Sequence, residues 1–310
     1  MLASVSDESR AQQTTARDGV QVQMRNVDFR VDSSIVLHID LLRGSLSAVK
    51  SGDVPFFDDK RSFVFQIDTA RIALNMRSLS DLLNRYVFAY RGSPLHNLSV
   101  SIVGDHLKQR AVTRGMTVTT VSEVSVTPSG DVRLHPVSIK AAGIPVRGVM
   151  HLFGLRLSKV VNLNGAHGVR FDGDDLLLSV SDLLPPPAIR GHLTLVALRD
   201  SQMIQVFRPA NGVVVKQLIP TDPSASNYMY FRGGVLRFGK LTMTEADLLI
   251  VDADPRDPFD FFLDRYNDQL VAGYSRNTLS KALIAVMPDY NKSRAARRLG
   301  GIRPSTPPDD

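Results

Sequence analysis

The chain contains no cysteine. That absence removes disulfides, thiolate zinc sites and cysteine nucleophiles together. It is compatible with the cytosol and equally with a bacterial periplasm, where a stray thiol risks oxidation. Long apolar runs are missing too. Leu176-Leu177-Leu178 and Ala282-Leu283-Ile284-Ala285-Val286-Met287 fall far below the roughly 18 to 20 residues of a membrane-spanning helix, so no crossing of a bilayer is expected. The first residues, Met1-Leu2-Ala3 followed by polar side chains, lack the basic, apolar and small-residue regions of a secretory signal. They fit a native start and a chain trimmed after its signal alike.

Catalytic signatures are also lacking. There is no Gly-x-Ser-x-Gly elbow, no phosphate-cradling glycine loop ending in Lys-Ser or Lys-Thr, and no His-Glu-x-x-His. The seven histidines, His38, His96, His106, His135, His151, His167 and His192, include no pair at metal-ligand spacing and read as strand or turn residues at solvent. The densest acidic segment is Asp252-Ala253-Asp254-Pro255-Arg256-Asp257-Pro258-Phe259-Asp260, with Asp264 beyond it. Alternating carboxylates on a proline-bound loop can collect a hard cation such as calcium, and an enzyme using a divalent cation would be built there. The twelve-residue calcium-loop spacing and its closing glutamate are absent, however. The favoured reading makes Asp257 the cap of a following helix, with Pro258 at its first position. Asp172, Asp174 and Asp175 read as a hairpin turn. No enzyme, metal or cofactor is expected.

What is present starts with charge: the net charge is +6 and the isoelectric point about 9.6. A basic balance favours anionic partners, nucleic acid or acidic lipid headgroups. Nucleic-acid binding calls for basic clusters interleaved with aromatics on one element. Here the cations are dispersed, and the one dense run, Lys292-Ser293-Arg294-Ala295-Ala296-Arg297-Arg298, falls in an expected tail. Nucleic acid is not expected as a partner. Hydrophobic residues at 43% and charged residues at 22% match a globular protein, and 310 residues suffice for one large domain or two modest ones.

Hydropathy alternates with period two along most of the chain, the signature of half-buried strands. Val20, Val22 and Met24 are followed by a phase slip and then Val27, Phe29 and Val31, which reads as a bulge. Ile35, Leu37, Ile39 and Leu41 alternate, as do Phe63, Phe65 and Ile67 and then Ile72, Leu74 and Met76. Ser78-Leu79-Ser80-Asp81 opens a helix in a pattern close to a capping box, with Leu79, Leu82, Leu83, Tyr86 and Val87 on one face. Strands follow around Leu98–Ile102, Leu107–Val112, Met116–Val126 and Val132–Ala141, separated by Gly104-Asp105, Arg114-Gly115 and Pro128-Ser129-Gly130-Asp131. A second helix is expected over Val149–Val161, with Val149, Leu152, Phe153, Leu157, Val160 and Val161 apolar. Val169–Leu176 reads as a hairpin on Asp172-Gly173, and Leu183-Leu184-Pro185-Pro186-Pro187 as a stiff extended connector. His192–Leu198 and Met203–Phe207 return to alternation. The expected organisation is a mobile leader over 1–18, a main domain over 19–207, a linker or long loop over 208–227, a strand-rich extension over 228–290 and a disordered tail over 291–310. In the extension Gly233-Gly234 and Gly239 are turns, Asp257–Tyr266 is a short helix, and no internal repeat is convincing.

Long strands with one apolar face, and two helices whose apolar faces must be covered, form either a filled core or an elongated apolar tube. Periodicity alone favours the filled core. A resemblance shifts that balance. The block Ser78-Leu79-Ser80-Asp81-Leu82-Leu83-Asn84-Arg85-Tyr86-Val87-Phe88 follows an alternating strand and precedes Pro94-Leu95, Leu98-Ser99-Val100-Ser101-Ile102 and Gly104-Asp105-His106-Leu107. Ala142-Gly143-Ile144-Pro145-Val146, Leu152-Phe153-Gly154-Leu155, Gly173-Asp174-Asp175-Leu176 and Leu184-Pro185-Pro186-Pro187-Ala188-Ile189-Arg190-Gly191 come next in the same order. Over about residues 60–207 this resembles the bacterial tubular lipid-binding (TULIP-like) proteins, in particular the LmeA-like phospholipid-binding family. The motifs are turn and helix patterns.

The resemblance implies an α+β fold in which a long, strongly curved antiparallel sheet wraps one or two amphipathic helices as an elongated half-barrel. It also implies a groove that binds phospholipid or another acyl lipid, and a periplasmic or otherwise extracytoplasmic place in the cell envelope. It fixes no polar lipid-contacting residue, and the chain from Tyr228 on lies beyond it. The candidate lining is Leu82, Leu83, Tyr86, Val87, Val149, Leu152, Phe153 and Leu157. Excess basic charge without a span points to peripheral docking on anionic membranes. Its candidates are Arg85, Arg91, Arg147, Arg156 and Lys159, with Arg294, Arg297 and Arg298 as a second site. The alternative is an envelope interaction protein with a filled core, whose C-terminal third around Gly233-Gly234 offers a sheet edge to a protein partner.

Overall fold

The computed structural model describes residues 19–145, 163, 165–209, 212 and 214–298, the side chains of 295–298 excepted. The second expected helix, over 149–161, lies outside the described residues, as do the segments 1–18 and 299–310.

Three long strands begin the fold: β1 (Val20–Arg30), β2 (Val36–Ala48) and β3 (Phe63–Asn75), paired antiparallel in chain order. The phase slip seen in β1 extends across all three. Buried positions run Val20, Val22, Met24 and then Val27, Phe29 in β1; Leu37, Ile39 and then Leu42 in β2; Phe63, Phe65, Ile67 and then Ala70, Ile72, Leu74 in β3. Asn26 makes the change in β1 with a left-handed φ of 51°, and the β2–β3 register shifts between Ile39 and Leu41 and again between Arg43 and Gly44. The result is a crease, a row of irregularities that turns the sheet while keeping one face apolar. It also moves the buried position of β2 from the expected Leu41 to Leu42.

A helix follows at once. α1 (Met76–Leu82) starts earlier than Ser78 because Asn75, not Ser78, is its cap: the Asn75 side chain accepts the Ser78 N–H at 2.7 Å. Ser78 is buried instead, its hydroxyl accepting the Val36 N–H and tying the helix to β2. A π-helical turn, Leu83–Val87, continues α1 and closes on a bond from Phe88 N–H to Leu83 O at 2.9 Å.

The chain then builds a second sheet of seven strands, ordered β4-β5-β6-β7-β10-β9 with β8 (Ile144–Pro145) attached to β7. Its members are β4 (His96–Val103), β5 (His106–Thr113), β6 (Met116–Val126), β7 (Val132–Ala141), β9 (Val169–Asp172) and β10 (Asp175–Leu178). Every expected turn is present. Arg114 and Gly115 both take positive φ, 46° and 77°, as a tight hairpin requires, and Gly173 has φ 62° between β9 and β10. A short helix α2 (Val180–Leu183) and the proline connector return the chain to the first sheet as β11 (Ala188–Gly191), β12 (Leu193–Arg199) and β13 (Gln202–Phe207).

Residues 208–227 carry no regular structure among those described, but they are not a free linker. Leu218 packs on Tyr228 and Tyr230, and the buried Gln23 side chain bonds both Leu218 O and Leu218 N–H at 3.0 Å. The final third extends the first sheet. β14 (Tyr228–Arg232) pairs with β1, β17 (Asp247–Asp252) with β14, and β20 (Leu283–Met287) with β17, while β19 (Tyr274–Asn277) forms the edge. A separate two-stranded hairpin of β15 (Val235–Phe238) and β16 (Leu241–Thr244) packs Leu236 and Phe238 into the core.

Asp257 and Pro258 do not start a helix. They lead into β18 (Phe259–Phe262), parallel to the end of β1, because all four of its residues are buried and its phenylalanines complete an aromatic core. The rings of Phe261 and Phe29 stack at 5.9 Å, and the Asp260 carboxylate pairs with Arg30. The helices there are α3 (Tyr266–Ala272), after one 3-10 turn, and α4 (Tyr290–Arg298), which occupies the start of the segment expected to be disordered.

Among the described residues the fold is therefore strand-dominated α+β, with an eleven-stranded sheet, a seven-stranded sheet, a two-stranded hairpin and few helices. The larger sheet is mixed rather than antiparallel: β11 with β3, β18 with β1 and β20 with β17 run parallel. Phe57 ties its early and late strands together, with ring centroids 5.7 Å from Phe63, 5.2 Å from Phe231 and 5.8 Å from Tyr266.

Candidate functional site

The seven-stranded sheet owes its inner surface to the period-two rule. Inward positions of β5 are Leu107, Gln109, Ala111 and Thr113, and those of β6 are Met116, Val118, Thr120 and Ser122. Cross-strand pairing lines these up in rows. One row runs Val100, Gln109, Thr120, Ile139 and the next runs Ala111, Val118, Ala141. The second row is made of small side chains, which cannot fill the space beneath α1. Leu79, Leu83 and Phe88 stand over it, and the cavity between them is about 270 Å³ and partly open to solvent. This is close to the lower bound of about 300 Å³ for small-molecule sites.

Two side chains hold α1 against the edge strand β4. The Asn84 amide donates to Leu98 O at 2.7 Å and to Ser80 O at 2.8 Å, while its carbonyl accepts the Leu98 N–H at 2.9 Å. The Ser80 hydroxyl accepts the Val100 N–H at 2.9 Å. The exposed backbone edge of the strand is thereby satisfied by helix side chains, and the helix is fixed at the rim of the sheet.

The candidate lining residues divide. Leu83 lines this groove. Leu82 faces the other way, into the core between the two sheets, where only about 40 Å³ remains beside Leu37, Ile72 and Met203. Val87 is fully buried in the same continuous core. Tyr86 does not line the groove: its ring packs against the core, and its hydroxyl donates to Asp32 at 2.7 Å. Burial and that bond push the Tyr86 phenol up to about 12. Val149, Leu152, Phe153 and Leu157 lie outside the described residues. Of the docking candidates, Arg85 pairs with Asp32 at 2.8 Å, Arg91 is exposed, and Arg147, Arg156 and Lys159 lie outside the described residues.

Sequence reasoning missed Gln109, Ala111, Thr120, Ser122 and Ala141, all on strands it placed. The available signal was the interruption of apolar inward positions by glutamine and hydroxyl residues. An exposed apolar end of the sheet was missed as well. The turns before β6 and β8 bring Met116, 50% exposed, and Ile144, 66% exposed, to one end of the sheet. Arg114 and Lys140 beside them are exposed, and among the described residues neither has an ion-pair partner.

Two polar sites lie elsewhere. A wide cleft of about 790 Å³ is lined by Asp32, Tyr86, Asp264, Arg265, Tyr290 and Arg294. Its acids are engaged. Burial raises the Asp32 pKa, but bonds from Ser34 N–H and Tyr86 and the Arg85 charge outweigh that and leave it below the usual carboxylate range; Asp264 pairs with Lys60 at 2.7 Å. The second is the acidic segment. Asp252 and Asp257 meet Asp289, which the sequence did not single out, with carboxylate oxygens within 4.8 Å of one another. Lys292 sits among them, at 2.7 Å from Asp289 and 3.3 Å from Asp257. A lysine thus supplies the positive charge that the cluster requires. Burial pushes Asp252 up to about 6 despite bonds from Asp254 N–H and Asn227.

The chain matches no family model, no curated protein and no solved structure.

Proposed function

We propose that this protein binds an acyl lipid, a phospholipid or similar, in the groove between α1 and the seven-stranded sheet, without catalysing a reaction. The observation that carries the reading is the cavity itself. Its walls are almost entirely apolar, and small side chains at Ala111 and Ala141 leave space that a filled core would have closed. Each methylene moved from water into such a space is worth about 0.8 kcal/mol. The order of motifs across residues 60–207, which resembles the tubular lipid-binding proteins, points the same way. The cavity holds part of one chain, and the remainder of the lipid would leave through the mouth at Met116 and Ile144. Exposed apolar tips flanked by Arg114 and Lys140 suit an anionic bilayer surface, so exchange with a membrane of the cell envelope is the natural companion activity.

The core between the sheets is a different matter. It is packed, and an interaction protein with a filled core would have the same interior there. The two readings therefore separate at the groove. Titration of the protein with a fluorescent long-chain fatty acid tests it, alongside Ala111→Phe, whose ring would occupy the groove. Saturable uptake by the wild type, reduced at least about tenfold in a variant of unchanged or higher melting temperature, is the expected result. No uptake by a folded wild type would favour the interaction protein.

A further inference from the structure

The groove is largely apolar, but its wall also carries Gln109, Thr113, Thr120 and Ser122. Gln109 is the middle inward residue of β5, flanked on its own strand by Leu107 and Ala111 and across the sheet by Val100 and Thr120. Its side-chain carbonyl accepts the Ser122 hydroxyl at 3.2 Å. Its amide nitrogen is buried, yet no acceptor among the described residues lies within hydrogen-bonding reach. A buried donor left unpaired is costly, and native proteins tolerate few of them. A leucine or methionine at this position would have avoided that cost in a wall whose surface is mostly apolar.

We infer that Gln109 is the groove's polar anchor and that its amide donates to a carbonyl oxygen of the bound lipid, so that the preferred ligands are acyl esters, acyl amides or fatty acids rather than plain hydrocarbon or ether chains. This rests on the reading of the groove as a lipid site. The ligand carbonyl would add the acceptor that the Gln109 amide nitrogen lacks. Because the row Val100–Gln109–Thr120–Ile139 crosses the sheet, the anchor also sets where along the groove the chain begins. Chain on one side of it would lie over Ala111, Val118 and Ala141 and run towards the mouth.

The test compares two synthetic phospholipids with identical headgroup and chain length, one diester and one diether, as competitors for a bound fluorescent fatty acid. The wild type is expected to bind the diester at least about fivefold more tightly. Gln109→Leu is expected to bring the two within about twofold of each other while keeping affinity for the diether. Equal binding of both lipids by the wild type would overturn the anchor, since the amide would then be satisfied without the ligand, and would leave the lipid reading intact. Retention of the diester preference in Gln109→Leu would also overturn it. Failure of the fluorescent fatty acid itself to bind would remove the lipid reading, whereas a bound fatty acid that neither phospholipid displaces would overturn the anchor's preference for acyl esters. The wild-type comparison needs no variant, and Gln109→Met gives a second measurement should the leucine variant fold poorly.

Discussion

At the residue scale, polar side chains explain more of this structure than the apolar pattern does. His38 is an example. It lies on β2, with ring nitrogens 2.7 Å from Asp28 and 3.0 Å from Asp40, and Arg71 also pairs with Asp40. The bond to Asp28 raises the histidine's pKa, burial opposes it, and the charges of both aspartates add to the rise. The folded chain then holds the proton more tightly than the unfolded one. The stabilisation is fully present below the unfolded value of about 6.5 and is lost as pH rises through the higher folded value. The melting-temperature difference between wild type and His38→Gln should therefore be larger at pH 5.5 than at pH 9, by an amount equivalent to on the order of 1 kcal/mol. A difference independent of pH would show that the histidine acts by packing alone.

Asp252 has the opposite chemistry and the same sign. Its neutral form is favoured in the fold, up to about pH 6, so the folded state retains a proton that the unfolded chain releases near pH 4. Stability from this group falls as pH rises from about 4 to about 6. In Asp252→Asn that part of the slope should disappear, which a series of melts between pH 4 and 7 would reveal; an unchanged slope would mean that Lys292 holds the carboxylate ionised throughout.

At the scale of elements, α1 and its π turn decide whether there is a groove at all. The helix is anchored by Asn84 and Ser80 to the edge of β4, and its Leu79 and Leu83 face the sheet. Asn84→Ala removes three hydrogen bonds and should cost about 2–3 kcal/mol at about 1 kcal/mol each, seen as a lower midpoint in urea. A change below about 0.5 kcal/mol would mean that apolar packing alone seats the helix.

Much of this was legible in advance. Period-two alternation located β1, β3, β5 to β7, β12 and β13 to within a few residues and the first half of β2, which runs on to Ala48, while glycine pairs or Asp-Gly located turns between later strands. The helix start was misplaced because two good caps, Asn75 and Ser78, lie three residues apart, and only the three-dimensional contact of Ser78 with β2 decides between them. Phe259–Phe262 was read as part of a helix because its four residues have no period of their own; parallel pairing with β1, more than 200 residues away in sequence, makes it a strand. The first four lining candidates, Leu82, Leu83, Tyr86 and Val87, were chosen from a single helical face. In the structure that face is split by its two neighbours, with Leu83 over the groove and Leu82 in the intersheet core. Sequence periodicity finds an apolar face but not which of two sheets it meets.

At the scale of the whole molecule, two sheets share one continuous hydrophobic core but differ in how completely they are filled. The larger sheet is closed by aromatic packing around Phe57 and by the strap of residues 214–227. The smaller one keeps free volume beneath α1 and ends in an apolar, basic tip. That asymmetry argues for a framework that carries a binding module. If the tip meets membranes, co-sedimentation with anionic vesicles should weaken as salt is raised. It should also fall about tenfold or more in Arg114→Gln, Lys140→Gln, since each cation near the surface contributes about 1 kcal/mol. Equal recovery in the supernatant with anionic and neutral vesicles at low salt would reject docking, and an unaltered double variant would move it to another surface such as Arg91 or α4.

The central claim is that acyl chain lies against the inner face of the seven-stranded sheet. Photo-crosslinking with a fatty acid that carries a diazirine in mid-chain, followed by peptide mapping, tests it most directly. The account predicts adducts on inward residues of β5 to β7, such as Ala111, Val118 and Ala141, and on Leu83 of the π turn, all competed by unlabelled lipid. Adducts confined to the eleven-stranded sheet, or labelling that excess lipid does not reduce, would contradict it.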